Sequence, residues 1–332
     1  MFKPFIGSAA AGGTKWFLRD VFGIGVILSF ACVGFVLFPN NLSLLTRIVG
    51  IALLVLSLDL ITGHCGVATL GQSAVFGAGA YLAGIAAVRW GINDPLLMIA
   101  FGAIGGAIVA ALSGVIILRG HGLTQLVLSI AIAQMLQQIA NKASAYTGGS
   151  DGLAGIDPLP IFGLFVINLW GRATYALAIV LVVLVFIFLR ILTRSPFGML
   201  CRGIKDDPVR ARAMGASVRG TLLKAYVISG AVAGMGGALT AISTQVVGLD
   251  SLSFQLSAQS LVMLVLGGAG TLYGALIGAV SFVLFEDFVS AANPFHWLTI
   301  VGALLVAVVL FAPKGLYGEA VALADRMKRD RL

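Results

Sequence analysis

Long apolar runs separated by short polar interruptions dominate this chain. Runs fall near 21–38, 44–62, 67–88, 96–118, 123–141, 173–192, 222–244, 257–271, 272–290 and 297–312. At about 1.5 Å of rise per residue, a helix of roughly 20 residues crosses the ~30 Å hydrocarbon layer. Barrel strands need only about 10 residues of alternating character, and these runs neither alternate nor stop that early. The pattern predicts an all-α polytopic membrane protein of about ten transmembrane helices, a single domain over 1–332. Two places interrupt it. The stretch GHCGVATLGQSAVFGAGAYLAG (63–84) carries so many glycines and polar residues that a broken helix is expected. The stretch 257–290 is either one overlong helix or two short ones divided at LGGAGTLYG.

Composition supports the class, since 59% hydrophobic residues, 10% charged residues and a mean hydropathy of +1.05 exceed what a soluble core can hide. The net charge of +8 gathers into no single basic face and carries no recognition motif, so nucleic acid is excluded as a partner. Basic residues instead mark the cytoplasmic side. The N-terminus, the turn at 119–122, the island at 194–221 and the tail at 313–332 all bear them. Only an even number of spans places both ends together, which favours two helices in 257–290 and both termini in the cytoplasm. The first run follows Lys3, Lys15 and Arg19 as a signal peptide would, but it lacks an A-x-A cleavage site and reads as a spanning helix. The loop 142–172 then faces outward, with turn formers in TGGSDGLAGIDPLP. Gly148, Gly149, Ser150, Asp151 and Gly152 are candidates for an external docking surface or plain turn chemistry.

The island carries its own helix punctuation. Asp207 suits an N-cap, Pro208 the first helical position, and Gly215 a left-handed closure. A short helix is predicted between them, with Val209 and Ala213 on one side and Arg210 and Met214 on another. In the broken stretch, Thr69, Gly71, Gln72, Ser73, Phe76, Gly77 and Gly79 are candidates for lining a translocation path, the alternative being tight packing with local hydrogen bonds. Glycines at GxxxG spacing (102/106, 230/234, 270/274/278) read as packing seams within the molecule. Asp59, Glu286 and Asp287 lie close enough to span ends to be solvated there. The three cysteines and three histidines sit at no metal-ligand spacing, so no metal is predicted. No GxxxxGK[ST] occurs, so any ATP used is hydrolysed on another subunit.

Five stretches together carry a resemblance: GVATLGQSAVFGAGAYLAG (66–84), TGGSDGLAGI (147–156), the island and its following helix start (195–239), VLGGAGTLYGALIGA (265–279) and LFAPKGLYG (310–318). In order and spacing they resemble the LivM-type permeases of branched-chain amino acid ABC importers. The resemblance implies a bacterial inner-membrane subunit, not itself an enzyme, without cofactor of its own. It implies a homologous LivH-type permease, two cytoplasmic ATPases that bind ATP and magnesium, and a periplasmic solute-binding protein. It also assigns Arg202, Asp206, Asp207, Pro208, Arg210, Arg212, Ala213, Met214 and Gly215 to a segment that docks on an ATPase. After Arg119-Gly120 the chain reads His121-Gly122-Leu123-Thr124-Gln125, where the family often places aromatics, and the solute stays open among branched-chain amino acids, urea, amides and organic acids. An ion-coupled carrier using Asp59 or Glu286/Asp287, and an intramembrane serine protease using Ser73, are the other classes.

Overall fold

The structure, a computed structural model, describes residues 42–160, 172–292 and, within 299–319, the stretches 299–300, 302–303, 306 and 315–319. The expected span at 21–38 lies outside these residues, and the span at 297–312 and the tail lie largely outside them. Among the described residues, seven helices are long and apolar enough to cross a membrane. They are α1 (Leu42–Leu58, prolonged by a π-helical turn, Asp59–His64), α2 (Gln72–Trp90), α3 (Pro95–Ile117), α4 (Leu123–Lys142), α6 (Arg172–Arg194), α9 (Val218–Thr244) and α11 (Leu272–Ala292). Shorter elements are α5 (Ser144–Thr147), α7 (Pro196–Asp206), α8 (Pro208–Ala213) and α10 (Phe254–Gly267).

α1 is the hub: most of its residues are buried, and α2, α9, α6 and α11 pack around it. α3 closes on α9 and α2 through glycines. A Cβ on Gly234 would collide with the carbonyl of Gly102, and one on Gly106 with the carbonyl of Gly230. Bare backbone faces are what permit this approach without a hydrophobic driving force between helices. The GxxxG seams on these helices are therefore contacts within the chain. The third predicted seam is divided: Gly274 and Gly278 pack on Gly267 across the α10–α11 turn, whereas Gly270 has a positive φ of 85° and lies in the turn itself.

Both predicted interruptions are present. Residues 65–71 between the π turn and α2 are non-helical, and the break in 257–290 falls between Gly267 and Leu272. α10 has 14 residues and so covers only about 21 Å, short of a full crossing. The rest of that crossing is irregular: β2 (Val246–Val247) and a 3-10 turn (Leu249–Leu252) precede it. β2 pairs antiparallel with β1 (Leu153–Ala154), Leu153 opposite Val247, which ties the 142–172 loop to the top of the broken span. This is the loop end of the bundle; α7 and α8 form the basic end.

Candidate functional site

At the basic end, local sequence chemistry builds a helical hairpin. Ser195 caps α7 by accepting from the Gly198 amide at 3.4 Å, with Pro196 at the first position. Asp207 then caps α8, its Oδ1 accepting from the amides of Val209 at 2.9 Å and Arg210 at 3.0 Å. Pro208 stands at the first helical position and Gly215 adopts a φ of 85°, so the predicted punctuation is in place. Cys201, Ile204 and Ala211 point inward. Outward stand Val209 and Met214, 72% and 75% exposed, with Pro208, Ala213 and the charged Arg202, Asp206, Arg210 and Arg212. The Arg210–Asp207 ion pair, 3.6 Å apart at the surface, adds little stability.

The hairpin is anchored where three elements meet. From α7, the Lys205 ammonium donates to the Gly63 carbonyl at 2.6 Å, inside the π turn. From that turn, Asp59 accepts through Oδ1 from the Gly270 amide at 2.6 Å, in the break between α10 and α11. His64 Nδ1 lies 3.2 Å from the Asp59 carbonyl oxygen and 3.5 Å from Oδ2. Space here is tight: a Cβ on Gly63 would strike Asp59 Oδ1 and the Gly270 nitrogen. The expected solvated position of Asp59 is thus corrected, because its side chain is 0% exposed. The π turn rotates it inward, toward an amide that the α10–α11 break leaves without a helical acceptor. Glu286 is half-buried and Asp287 exposed, at the far end of α11. Beside the junction Cys65 and Cys201 share a hydrogen bond, which with burial pushes the Cys65 thiol up from its ordinary pKa.

The candidates in the broken stretch lie inside the bundle. Thr69, Gly71, Gln72, Ser73, Phe76, Gly77 and Gly79 are all buried. Gln72 Nε2 donates to the hydroxyls of Ser57 at 3.0 Å and Ser229 at 2.8 Å. Ser73 donates to the Ser253 carbonyl at 2.7 Å and accepts from Ser257 at 2.6 Å, joining the first turns of α2 and α10. Thr69 accepts from the Gly71 amide, and Ser129 of α4 accepts from the Leu70 amide. Irregular backbone at membrane depth needs such partners. At the loop end, Gly148, Gly149 and Gly152 all take positive φ, Gly149 is buried, and Ser150 and Asp151 are exposed. Among the described residues no group of three or more His, Cys, Asp or Glu could hold a metal ion.

The family model described as "Branched-chain amino acid transport system / permease component" matches residues 40–309, which include the buried junction and the hairpin. The chain belongs to this permease family. It is 26% identical over 285 residues to the high-affinity branched-chain amino acid transport system permease protein LivM of Escherichia coli, covering 79% of this chain and 66% of that protein. It is 26% identical to LivH of Salmonella typhimurium, covering 81% of this chain and 91% of that protein. BraD of Pseudomonas aeruginosa, named as a permease of the same kind of system, is 25% identical with the same coverage. The chain thus spans just under two thirds of the LivM relatives it matches. No solved structure matches it.

In this permease, sequence reasoning missed α7 and Lys205. Ser195-Pro196 is the same cap-plus-proline signal that Asp207-Pro208 gives, and reading both would have shown a hairpin rather than one helix. Nothing in the sequence signals that Lys205 reaches Gly63.

Proposed function

We propose that this chain is the membrane-spanning permease subunit of an ABC importer, forming half of the path for branched-chain amino acids or a related small solute. A homologous LivH-type permease supplies the other half. Two cytoplasmic ATPases bind the nucleotide and magnesium, and a periplasmic binding protein delivers the solute at the loop end, where Ser150 and Asp151 are exposed. The chain lies in the bacterial inner membrane with both termini in the cytoplasm. It has no cofactor and catalyses no reaction itself.

The observation that carries this reading is the outward-facing hairpin with its anchored base. Val209, Met214, Arg210 and Arg212 present an exposed apolar and basic surface. Such a surface suits a groove on a partner. Lys205 and Asp59 connect the hairpin to the α10–α11 break, so displacement of α7 by a closing ATPase is passed to the broken span. A coupling element needs a contiguous physical connection of this sort. The Thr69–Gly79 stretch, with its internal hydrogen bonds, buttresses the path.

The test is purification of the chain from its native membrane in mild detergent, with co-purifying proteins identified by mass spectrometry. A second permease and P-loop ATPases are expected. A chain that emerges alone, and carries solute alone without ATP after reconstitution, overturns the proposal in favour of an ion-coupled carrier.

A further inference from the structure

The outer faces of the spanning helices differ in chemistry. α3 turns outward Ile104, Ile108 and Leu112, and α6 turns outward Val180, Leu184 and Ile191, as lipid contact demands. α4, the least buried of the described spans, turns Leu123, Val127, Met135 and Ile139 outward too, but not these alone. Its exposed residues include Gln134, Gln138 and Asn141, none of which has a hydrogen-bond partner among the described residues. At 1.5 Å per residue Gln134 stands about 16 Å along a helix about 30 Å long, near mid-membrane, and Gln138 about 22 Å along. A side-chain amide facing hydrocarbon at that depth is strongly unfavourable, so lipid does not cover this face.

Helical geometry sorts the face further. At 100° per residue, in the second half of α4, Gln134, Gln138 and Asn141 lie on one side of the exposed arc and Met135 and Ile139 on the other; in the first half the exposed Leu123 and Val127 continue the amide side as apolar residues. Gln137 lies at the edge of the amide side, and its Nε2 donates to the Leu249 carbonyl at 3.5 Å, in the 3-10 turn that opens the broken span. The amide side therefore runs beside that span. Just past the turn, at the start of α10, Gln255 is also exposed.

We propose that the amide side of α4, with Gln134 and Gln138 at its centre, is a water-lined wall of the solute path, facing the second permease across it. The chemistry of the wall names the class of solute: amides offer donors and acceptors with no fixed charge, which suits a small polar organic solute held weakly by hydrogen bonds. The inference rests on the importer reading and adds where the path runs.

Single cysteines at Gln134→Cys and Gln138→Cys, and at the lipid-facing controls Leu112→Cys and Leu184→Cys, are compared in the complete importer in lipid nanodiscs. The probe is a charged methanethiosulfonate reagent, which reacts with thiols in contact with water. Of the three cysteines Cys65 and Cys201 are buried and Cys32 lies outside the described residues, so the labelling of the unsubstituted chain is subtracted as background. Labelling at 134 and 138 is expected at least tenfold faster than at 112 and 184, with a rate that changes when the ATPases are trapped with vanadate. Labelling at 134 and 138 as slow as at the controls means that lipid or a dry subunit contact covers the face, and the proposal is wrong. Absence of ATPases from the purified complex marks failure of the importer reading instead, a separate outcome of the same preparation.

Discussion

Replacing Asp59 by alanine removes the acceptor that the Gly270 amide uses at 2.6 Å and leaves Lys205 without the carboxylate it faces through space. A buried donor left unpaired costs about 1–3 kcal/mol, and a hydrogen bond to a charged group is worth about 1.5–3 kcal/mol. These overlap, so about 2 kcal/mol is the expected destabilisation of the junction. Asp59→Asn keeps an oxygen for the Gly270 amide and loses only a charge that burial already disfavours, so at most half that loss is expected. Cys65 is a built-in reporter, because it follows the π turn, is buried, and lies against Cys201 on α7. Alkylation of Cys65 requires local opening, and where reclosing is fast its rate follows the open population. A loss of about 2 kcal/mol is then read as roughly thirtyfold faster modification, and about 1 kcal/mol as roughly fivefold. Maleimide labelling of the purified complex, with Cys65 quantified by peptide mass spectrometry, measures both. Wild-type labelling rates in Asp59→Ala, or equal rates in the alanine and asparagine variants, refute the reasoning.

Four further outcomes are expected. Gly234→Ala places a methyl on the Gly102 carbonyl, where rigid backbone cannot yield; overpacking of this kind costs about 1–3 kcal/mol, read as lower thermal stability in detergent, whereas Gly203→Ala, with open space around it, is neutral or stabilising. Asp207→Ala removes the α8 cap at a cost of about 1 kcal/mol, and substrate-stimulated ATPase activity of the assembled importer falls while membrane insertion, measured by protease protection, is retained. Charge reversal at Arg210 and Arg212 lowers ATPase co-purification without changing the yield of this chain. The Cys65 thiol is held above its ordinary pKa in the folded protein by the Cys201 hydrogen bond and by burial, and it loses both on opening, so its alkylation through the opened state rises with pH as steeply as that of a free thiol; a flatter rise sinks this claim.

The fold was legible where a single local rule decides. Apolar length located all the described spans, and the glycines of LGGAGTLYG marked the break between α10 and α11. Asp207-Pro208 and Gly215 marked the ends of α8, because caps and left-handed closures are properties of adjacent residues. What was not legible depends on distant partners. Asp59 looked like a solvated end residue because the sequence shows its distance from the span end but neither the π turn that rotates it nor the Gly270 amide 211 positions away. Gln72 and Ser73 read as path-lining or as packing groups, and the sequence does not show their partners Ser57, Ser229, Ser253 and Ser257, which come from three other segments. The amides of α4 drew no notice because, without the burial of the other face, nothing in an apolar run singles out the side that they share.

The central claim is that the α7–α8 hairpin docks on an ATPase, and the most direct measurement places a photo-crosslinking amino acid at Val209 or Met214 in native membranes, with Leu112 as the lipid-facing control. The account predicts adducts at 209 and 214 that contain a P-loop ATPase, and none at 112. Contradiction would come as no ATPase adduct at either hairpin position in membranes where that ATPase is present.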